Sequence, residues 1–199
     1  MSREKNRIIV VEGPQGSGKS TLVEYLRTNI AASNLYRLSG QRDKTASGKQ
    51  LSTYMYTILQ DYIEKMSIIP MDLIFDRTFF TEEVYARIGF KEYSFTDVYE
   101  QLVDRLIHSN YEIHLIILYL ENTNLYAERL NRVHHNYQAF SLQGSINQQN
   151  TYLQMAEELK HSGIHIHMIA MDDFEKGYQE INEIFNIHNE KFKEKTLGK

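Results

Sequence analysis

The stretch RIIVVEGPQGSGKSTLVEYL, residues 7 to 26, constrains this chain more than any other. Its opening RIIVV is a β-branched run without polar alternation, which suits a strand buried on both faces of a parallel sheet. Glycines then fall at 13, 16 and 18, and beyond them Leu22, Val23, Leu26 and Ile30 recur at helical spacing. Gly13-Pro14-Gln15-Gly16-Ser17-Gly18-Lys19-Ser20 satisfies G-x-x-x-x-G-K-[ST] in the setting that motif needs, between a buried strand and a helix. Glycines let the backbone turn its N–H groups toward phosphate oxygens, and the following helix N-terminus adds favourable partial charge. In this pattern Lys19 reaches the β- and γ-phosphates and the Ser20 hydroxyl ligates Mg²⁺. ATP and Mg²⁺ are the expected cofactors, with Gly13 through Thr21 as the binding segment.

The rest of the chain repeats the alternation. LYRLS (35–39) reads as a second strand, GQRDKTASGK as a polar loop and residues 50–66 as a helix. MDLIF (71–75) reads as a third strand, followed by the helix-like TFFTEEVYARI and, past Thr96, by VYEQLVDRLIHS. IHLIILYL (113–120) is the clearest strand, and NLYAERLNRV after it reads as a helix. Residues 134–150 have little apolar periodicity and read as loop or mobile cover, whereas TYLQMAEELKHS is helical again. GIHIHMIAM (163–171) completes five strands before a last helix, in whose first turn Gly177 is an unfavourable residue. Strands alternating with helices require right-handed crossovers, hence an α/β fold with a five-stranded parallel sheet flanked by helices. No repeat, linker or composition break divides the 199 residues, so a single domain is expected.

Composition narrows the chemistry. With no cysteine, disulfide frameworks, thiolate zinc sites and thiol nucleophiles are excluded, and a reducing interior fits. No apolar run approaches the roughly eighteen residues of a membrane span, so a cytoplasmic protein without membrane contact is expected. A net charge of −4 gives little support to general nucleic-acid affinity, although a local basic patch can still hold phosphates.

Asp76, at the carboxyl end of the third strand, is the candidate acidic group for the magnesium shell. Arg77 beside it places a guanidinium at the same crevice. Arg129 and Arg132, in ERLNR, are three apart and share a helix face. Phe79, Phe80 and Tyr85 offer rings for stacking, although rings at such spacing on a helix are commonly core. Tyr54, Tyr56 and Tyr62 carry the same ambiguity. His165 and His167 point to one face of a strand, Glu82 and Glu83 read as helix-surface charges, and Arg87 is a further candidate cation.

In this order, VEGPQGSGKST, LIFDRTFFTEEVYARIG and ERLNR, the chain resembles the thymidylate kinase and deoxynucleoside kinase group over most of its length. The resemblance implies the P-loop NTPase fold with a helical lid over about residues 124–150, in which Arg129 and Arg132 close over the transferring phosphoryl group. It implies that Asp76 serves magnesium or the acceptor and that Arg77 binds phosphate. Departures fall on the acceptor side: GQRDKTASGK replaces an arginine-proline-double-glycine stretch, leaving Arg42 as the matching cation, and Thr78 and Gln15 stand where tyrosine and an acidic residue are usual. Fold-level analogy adds a homodimer through the third and fourth helices.

The expected function is ATP-dependent phosphoryl transfer to a deoxynucleoside monophosphate. Lys19, Asp76, Arg77 and Arg132 are the catalytic candidates, and Arg42, Arg77, Phe79 and Phe80 the acceptor-binding ones. A deoxynucleoside kinase, a kinase acting on a modified base or hydroxyl in DNA, and a non-catalytic nucleotide-binding module stay open.

Overall fold

A computed structural model of the chain, described over residues 5–131 and 141–187, places every expected strand and shifts several boundaries. In chain order the elements are β1 (Asn6–Glu12), α1 (Lys19–Asn29), β2 (Ser33–Arg37), α2 (Ala46–Met66), β3 (Asp72–Asp76), α3 (Phe79–Arg87), α4 (Thr96–Ile107), β4 (Tyr111–Tyr119), α5 (Leu125–Asn131), α6 (Leu142–Glu158), β5 (His165–Ala170) and α7 (Phe174–Phe185). The strands form one all-parallel sheet in the order β2-β3-β1-β4-β5. β1 lies in the middle because its residues 8–11 are apolar and can be covered from both sides; all four are at most 1% exposed.

Each strand sends alternate residues to opposite faces, which makes two cores. Ile8, Val10, Leu73, Phe75, Leu115 and Ile117 face α2, α3, α4 and α6. Ile9, Val11, Ile74, Ile116, Leu118 and Ile169 face α1, α5 and α7, meeting Leu22, Leu26, Tyr126, Tyr178 and Ile181. At Gly177 a side-chain carbon would stand 2.6 Å from the Met171 sulfur, so the poor helix former is what lets α7 approach the end of β5.

Two expectations are corrected. Helix α2 begins at Ala46, four residues before the expected start at Gln50, because Asp43 accepts from the Thr45 amide and hydroxyl and turns the chain there. Residues 142–150, expected as loop, are the first half of α6, capped by Ser141, whose hydroxyl accepts from the Gly144 amide at 3.0 Å. The remainder of that expected loop, residues 134–140, lies outside the described residues together with Arg132. Among the described residues no helix is long and apolar enough to cross a membrane.

Candidate functional site

The carboxyl ends of β2, β3 and β1 stand side by side, and the phosphate loop leaves from β1, the central strand of the sheet. Gly13 adopts φ +141°, and a side-chain carbon there would stand 2.5 Å from the Leu118 carbonyl oxygen; backbone freedom and close approach to β4 both require glycine. Lys19 opens α1 and is 5% exposed, with its ammonium donating to the Pro14 carbonyl at 2.7 Å. Burial, and after it the nearby Arg77 charge, hold the Lys19 pKa well below the usual lysine range against the opposing pull of Asp76 and Glu12. The Ser17 hydroxyl at the centre of the loop is buried without a hydrogen-bond partner among the described residues. A buried amine of lowered pKa and an unsatisfied hydroxyl are what a cradle for a polyanion looks like before the anion supplies the missing charge.

Ser20 is exposed, and its hydroxyl lies 3.3 Å from Asp76 Oδ2. Two oxygen donors on adjacent elements suit a hard divalent cation, so the residues present fit Mg²⁺. Arg37, the last residue of β2 and the register partner of Asp76, brings its Nε to 3.8 Å from the same carboxylate oxygen. Sequence reasoning missed Arg37 and settled on Arg42; the signal was its position at a strand end level with the Asp-Arg pair. Arg37 also bonds Glu24 of α1, and Arg42 sits on the exposed part of the loop before α2.

Arg77 has φ +73°, a left-handed backbone conformation that costs a non-glycine residue about 1–3 kcal/mol. Its amide donates to the Val11 carbonyl at 3.1 Å, and its guanidinium donates to the Tyr85 hydroxyl at 2.8 Å. The turn is held by Glu12, a second residue to which the sequence pattern gives no role. Fully buried at the end of β1, Glu12 accepts from the Thr78 amide at 2.7 Å, the Thr81 hydroxyl at 2.6 Å and the Tyr152 hydroxyl at 3.1 Å. Burial raises its pKa, with those same donors and Arg77 opposing. Glu12 therefore ties the strand before the phosphate loop to α3 and α6 and fixes the direction in which Asp76 and Arg77 leave β3.

On the other side of the loop, Arg129 from α5 donates to the Gly16 carbonyl at 3.3 Å and the Met171 carbonyl at 2.7 Å, and its guanidinium lies 4.6 Å from the Phe174 ring centroid. The expected lid residue is thus at the phosphate loop. Arg132, its expected partner, lies outside the described residues.

The structure departs from the expected acceptor pocket. Phe79 and Phe80 are 2% and 0% exposed, stacked on one another at 4.6 Å and edge-on to Tyr99, so they belong to the core. Tyr56 joins this cluster and donates to the Thr78 carbonyl, Tyr62 pairs with Tyr36, and Tyr54 is exposed. Glu82 and Glu83, read as surface charges, are fully buried. Glu83 pairs with Arg87 at 2.8 Å, and Arg87 also pairs with Glu158 at 2.7 Å, which places that cation in a structural network. Glu82 pairs with Lys91 at 2.7 Å.

No family model matches the chain, and no curated protein matches it in sequence. Its fold, a parallel sheet with a phosphate loop after the central strand, is that of the P-loop NTPases, in the arrangement found in nucleoside and nucleotide kinases. Among solved structures it is similar to the deoxyadenosine kinase of M. mycoides (TM-score 0.62, 14% identity, covering 90% of this chain and 100% of that one). It is likewise similar to the thymidylate kinase of Candida albicans (TM-score 0.62, 15% identity, 93% and 94% covered) and to that of Ehrlichia chaffeensis (0.52, 17%, 90% and 99%).

Proposed function

We propose that this protein is an ATP-dependent kinase that phosphorylates a deoxynucleoside monophosphate. The reading is carried by one observation: Lys19, Ser20, Asp76, Arg37 and Arg77 lie at the carboxyl ends of three adjacent parallel strands, with Ser20 and Arg37 both directed at the Asp76 carboxylate. The carboxyl edge of an open α/β sheet is where such folds hold their ligands. Glycine-loop amides and Lys19 bind the donor phosphates, and Ser20 and Asp76 would hold Mg²⁺. When bound, the ion screens the β- and γ-oxygens and the charge that develops on the leaving group. Arg129 stands by the loop on the donor side, its guanidinium already packed on the Phe174 ring.

An acceptor that already carries a phosphate brings a second anion to the crevice and needs cations that the donor does not use. Arg37 and Arg77 meet that need, with Arg42 on the neighbouring loop. Among the similar structures, the two thymidylate kinases are named for a nucleoside monophosphate, whereas the deoxyadenosine kinase of M. mycoides is described with the products dCMP and a flexible dCDP bound. Catalysis on this reading is positioning plus charge stabilisation, with the acceptor oxygen and the leaving oxygen held in line.

The test is ATP consumption with Mg²⁺ across deoxynucleosides, their 5′-monophosphates and short DNA oligomers, beside Lys19→Ala. Turnover on one or more monophosphates, lost in Lys19→Ala, is the expected result. Turnover confined to deoxynucleosides or to oligomers overturns the monophosphate assignment, and tight ATP binding without turnover on any acceptor leaves a binding module.

A further inference from the structure

Between β2 and α2 the chain crosses the acceptor side as a loop, residues 38–45, and a buried ammonium holds that loop in place. Lys91 comes from the segment joining α3 to α4 and is 5% exposed. Its Nζ lies 2.7 Å from Glu82 Oε1 and donates to the carbonyls of Gln41 at 2.6 Å and Asp43 at 3.4 Å. An ammonium has three protons, and here one carboxylate and two loop carbonyls surround it. The Glu82 oxygen on this pair also accepts from the Tyr93 hydroxyl. Its other oxygen is buried without a hydrogen-bond partner among the described residues, and a side-chain carbon on Gly40 would stand 3.0 Å from it. The loop is fastened again a residue further on, where the Glu92 amide donates to the Lys44 carbonyl at 2.9 Å and the Lys44 ammonium sits 4.1 Å from the Phe90 ring centroid.

A buried ion pair is a weak way to gain stability, because desolvating both charges offsets most of their attraction. This one does something more specific, since two of the three oxygen contacts of its cation go to the backbone of a single loop. That loop starts immediately after Arg37 and carries Arg42. Its Gly40 packs beside the Tyr85 ring, and the Tyr85 hydroxyl accepts from Arg77. The Lys91 contacts thus reach the acceptor side, and none of them falls on the phosphate loop or α1.

We infer that Lys91 is a positioning residue for the acceptor: by drawing residues 41–43 onto Glu82 it sets the wall that a phosphate-bearing nucleotide acceptor meets, and so governs acceptor affinity independently of the donor. This rests on the kinase reading above. The test uses the full chain with Lys91→Met alone and with the double variant Lys91→Met/Glu82→Gln, which removes both charges so that neither is left buried by itself. Steady-state KM for each substrate, kcat, the thermal midpoint and hydrogen exchange at amides 41–44 are measured together. In the double variant the acceptor KM is expected to rise about tenfold or more while the ATP KM stays at the wild-type value. Exchange at 41–44 quickens, and α1 keeps its protection. An equal rise in both KM values, or an unchanged acceptor KM in a folded and active double variant, overturns the inference and leaves the kinase reading standing. Absence of turnover by the wild type on every acceptor overturns the kinase reading, and the acceptor role of Lys91 with it.

Discussion

On the reading proposed above, two buried lysines mark the donor and acceptor sides of the crevice, and they are buried in different ways. Among the described residues, Lys19, on the donor side, hydrogen-bonds only a carbonyl of its own loop, beside a serine hydroxyl with no partner, and burial lowers its pKa. Lys91, on the acceptor side, has a carboxylate and two carbonyls around it. The donor side is thus electrostatically incomplete in the free protein, and on the proposed reading a polyphosphate would complete it. The acceptor side matches its buried cation from within, although Glu82 Oε2 has no hydrogen-bond partner among the described residues, and its charges hold shape. An incomplete site binds through what it lacks, whereas a satisfied one selects through where its walls stand.

The largest effect should come from the incomplete side. Lys19→Ala removes the only lysine at the loop and is expected to lower kcat about a thousandfold or more in the coupled ATP-consumption assay. Its thermal midpoint should match or exceed that of the wild type, since a desolvated amine has been removed. A midpoint that drops sharply would mean that Lys19 is structural and would erase the contrast with Lys91.

Glu12 joins the two sides, so its loss should damage both. Glu12→Ala leaves the Thr78 amide and one of the Thr81 and Tyr152 hydroxyls without an acceptor in a fully buried place, since those two hydroxyls lie 2.9 Å apart and one can donate to the other. A loss of about 3 kcal/mol in denaturant unfolding is expected, since each orphaned donor costs about 1–3 kcal/mol before relaxation. Arg37→Ala should act on one side only, raising the acceptor KM about tenfold with the ATP KM unchanged, as for loss of one charge-assisted contact. If the ATP KM rises instead, Arg37 serves the donor and the division of the crevice has been drawn in the wrong place.

The same contrast explains what the sequence disclosed. The donor side is local: a β-branched run, glycines at fixed offsets and a helix with its apolar spacing lie within one continuous stretch, and each follows from backbone conformation. The strands were legible for the same reason, as short apolar runs between turn signals. The acceptor side is assembled from partners far apart in the chain. Glu82 and Glu83 look like the solvated face of FFTEEVYAR, but seven of its nine residues are buried, and the carboxylates are matched by Lys91, Arg87 and Thr96. Nothing in the local pattern announces those partners. The first half of α6 was hidden similarly, because LQGSINQQN buries polar residues. Gln149 bonds both the amide and the carbonyl of Leu120 and the Tyr126 hydroxyl, which replaces apolar periodicity with hydrogen bonds. Arg37 was overlooked because a cation at a strand end acquires meaning only once β2 is paired with β3.

Acid offers the mildest perturbation: besides Glu12, whose carboxyl pKa burial raises, it acts on a third region away from the two lysines. On the sheet face toward α7, His114, His165 and His167 stack, with ring centroids 5.0 and 5.3 Å apart, beside Glu112 and Phe185. Burial first, then His167 and His165, push His114 down to about 3, and burial with His165 lowers His167 as well. An unfolded histidine takes up its proton near pH 6.5, so below that value the unfolded chain binds protons that the native chain refuses. This stability is therefore fully present above about pH 6.5 and is lost as the pH falls toward 3. Thermal midpoints at pH 7 and pH 5 should differ by the equivalent of on the order of 1 kcal/mol for His114. His114→Asn should flatten that dependence while leaving both KM values at pH 7 unchanged, because the imidazole stack is not in contact with the crevice. If His114→Asn altered one KM and not the other, the sheet would be transmitting strain to a single side, and the two sides would differ in stiffness as well as in charge.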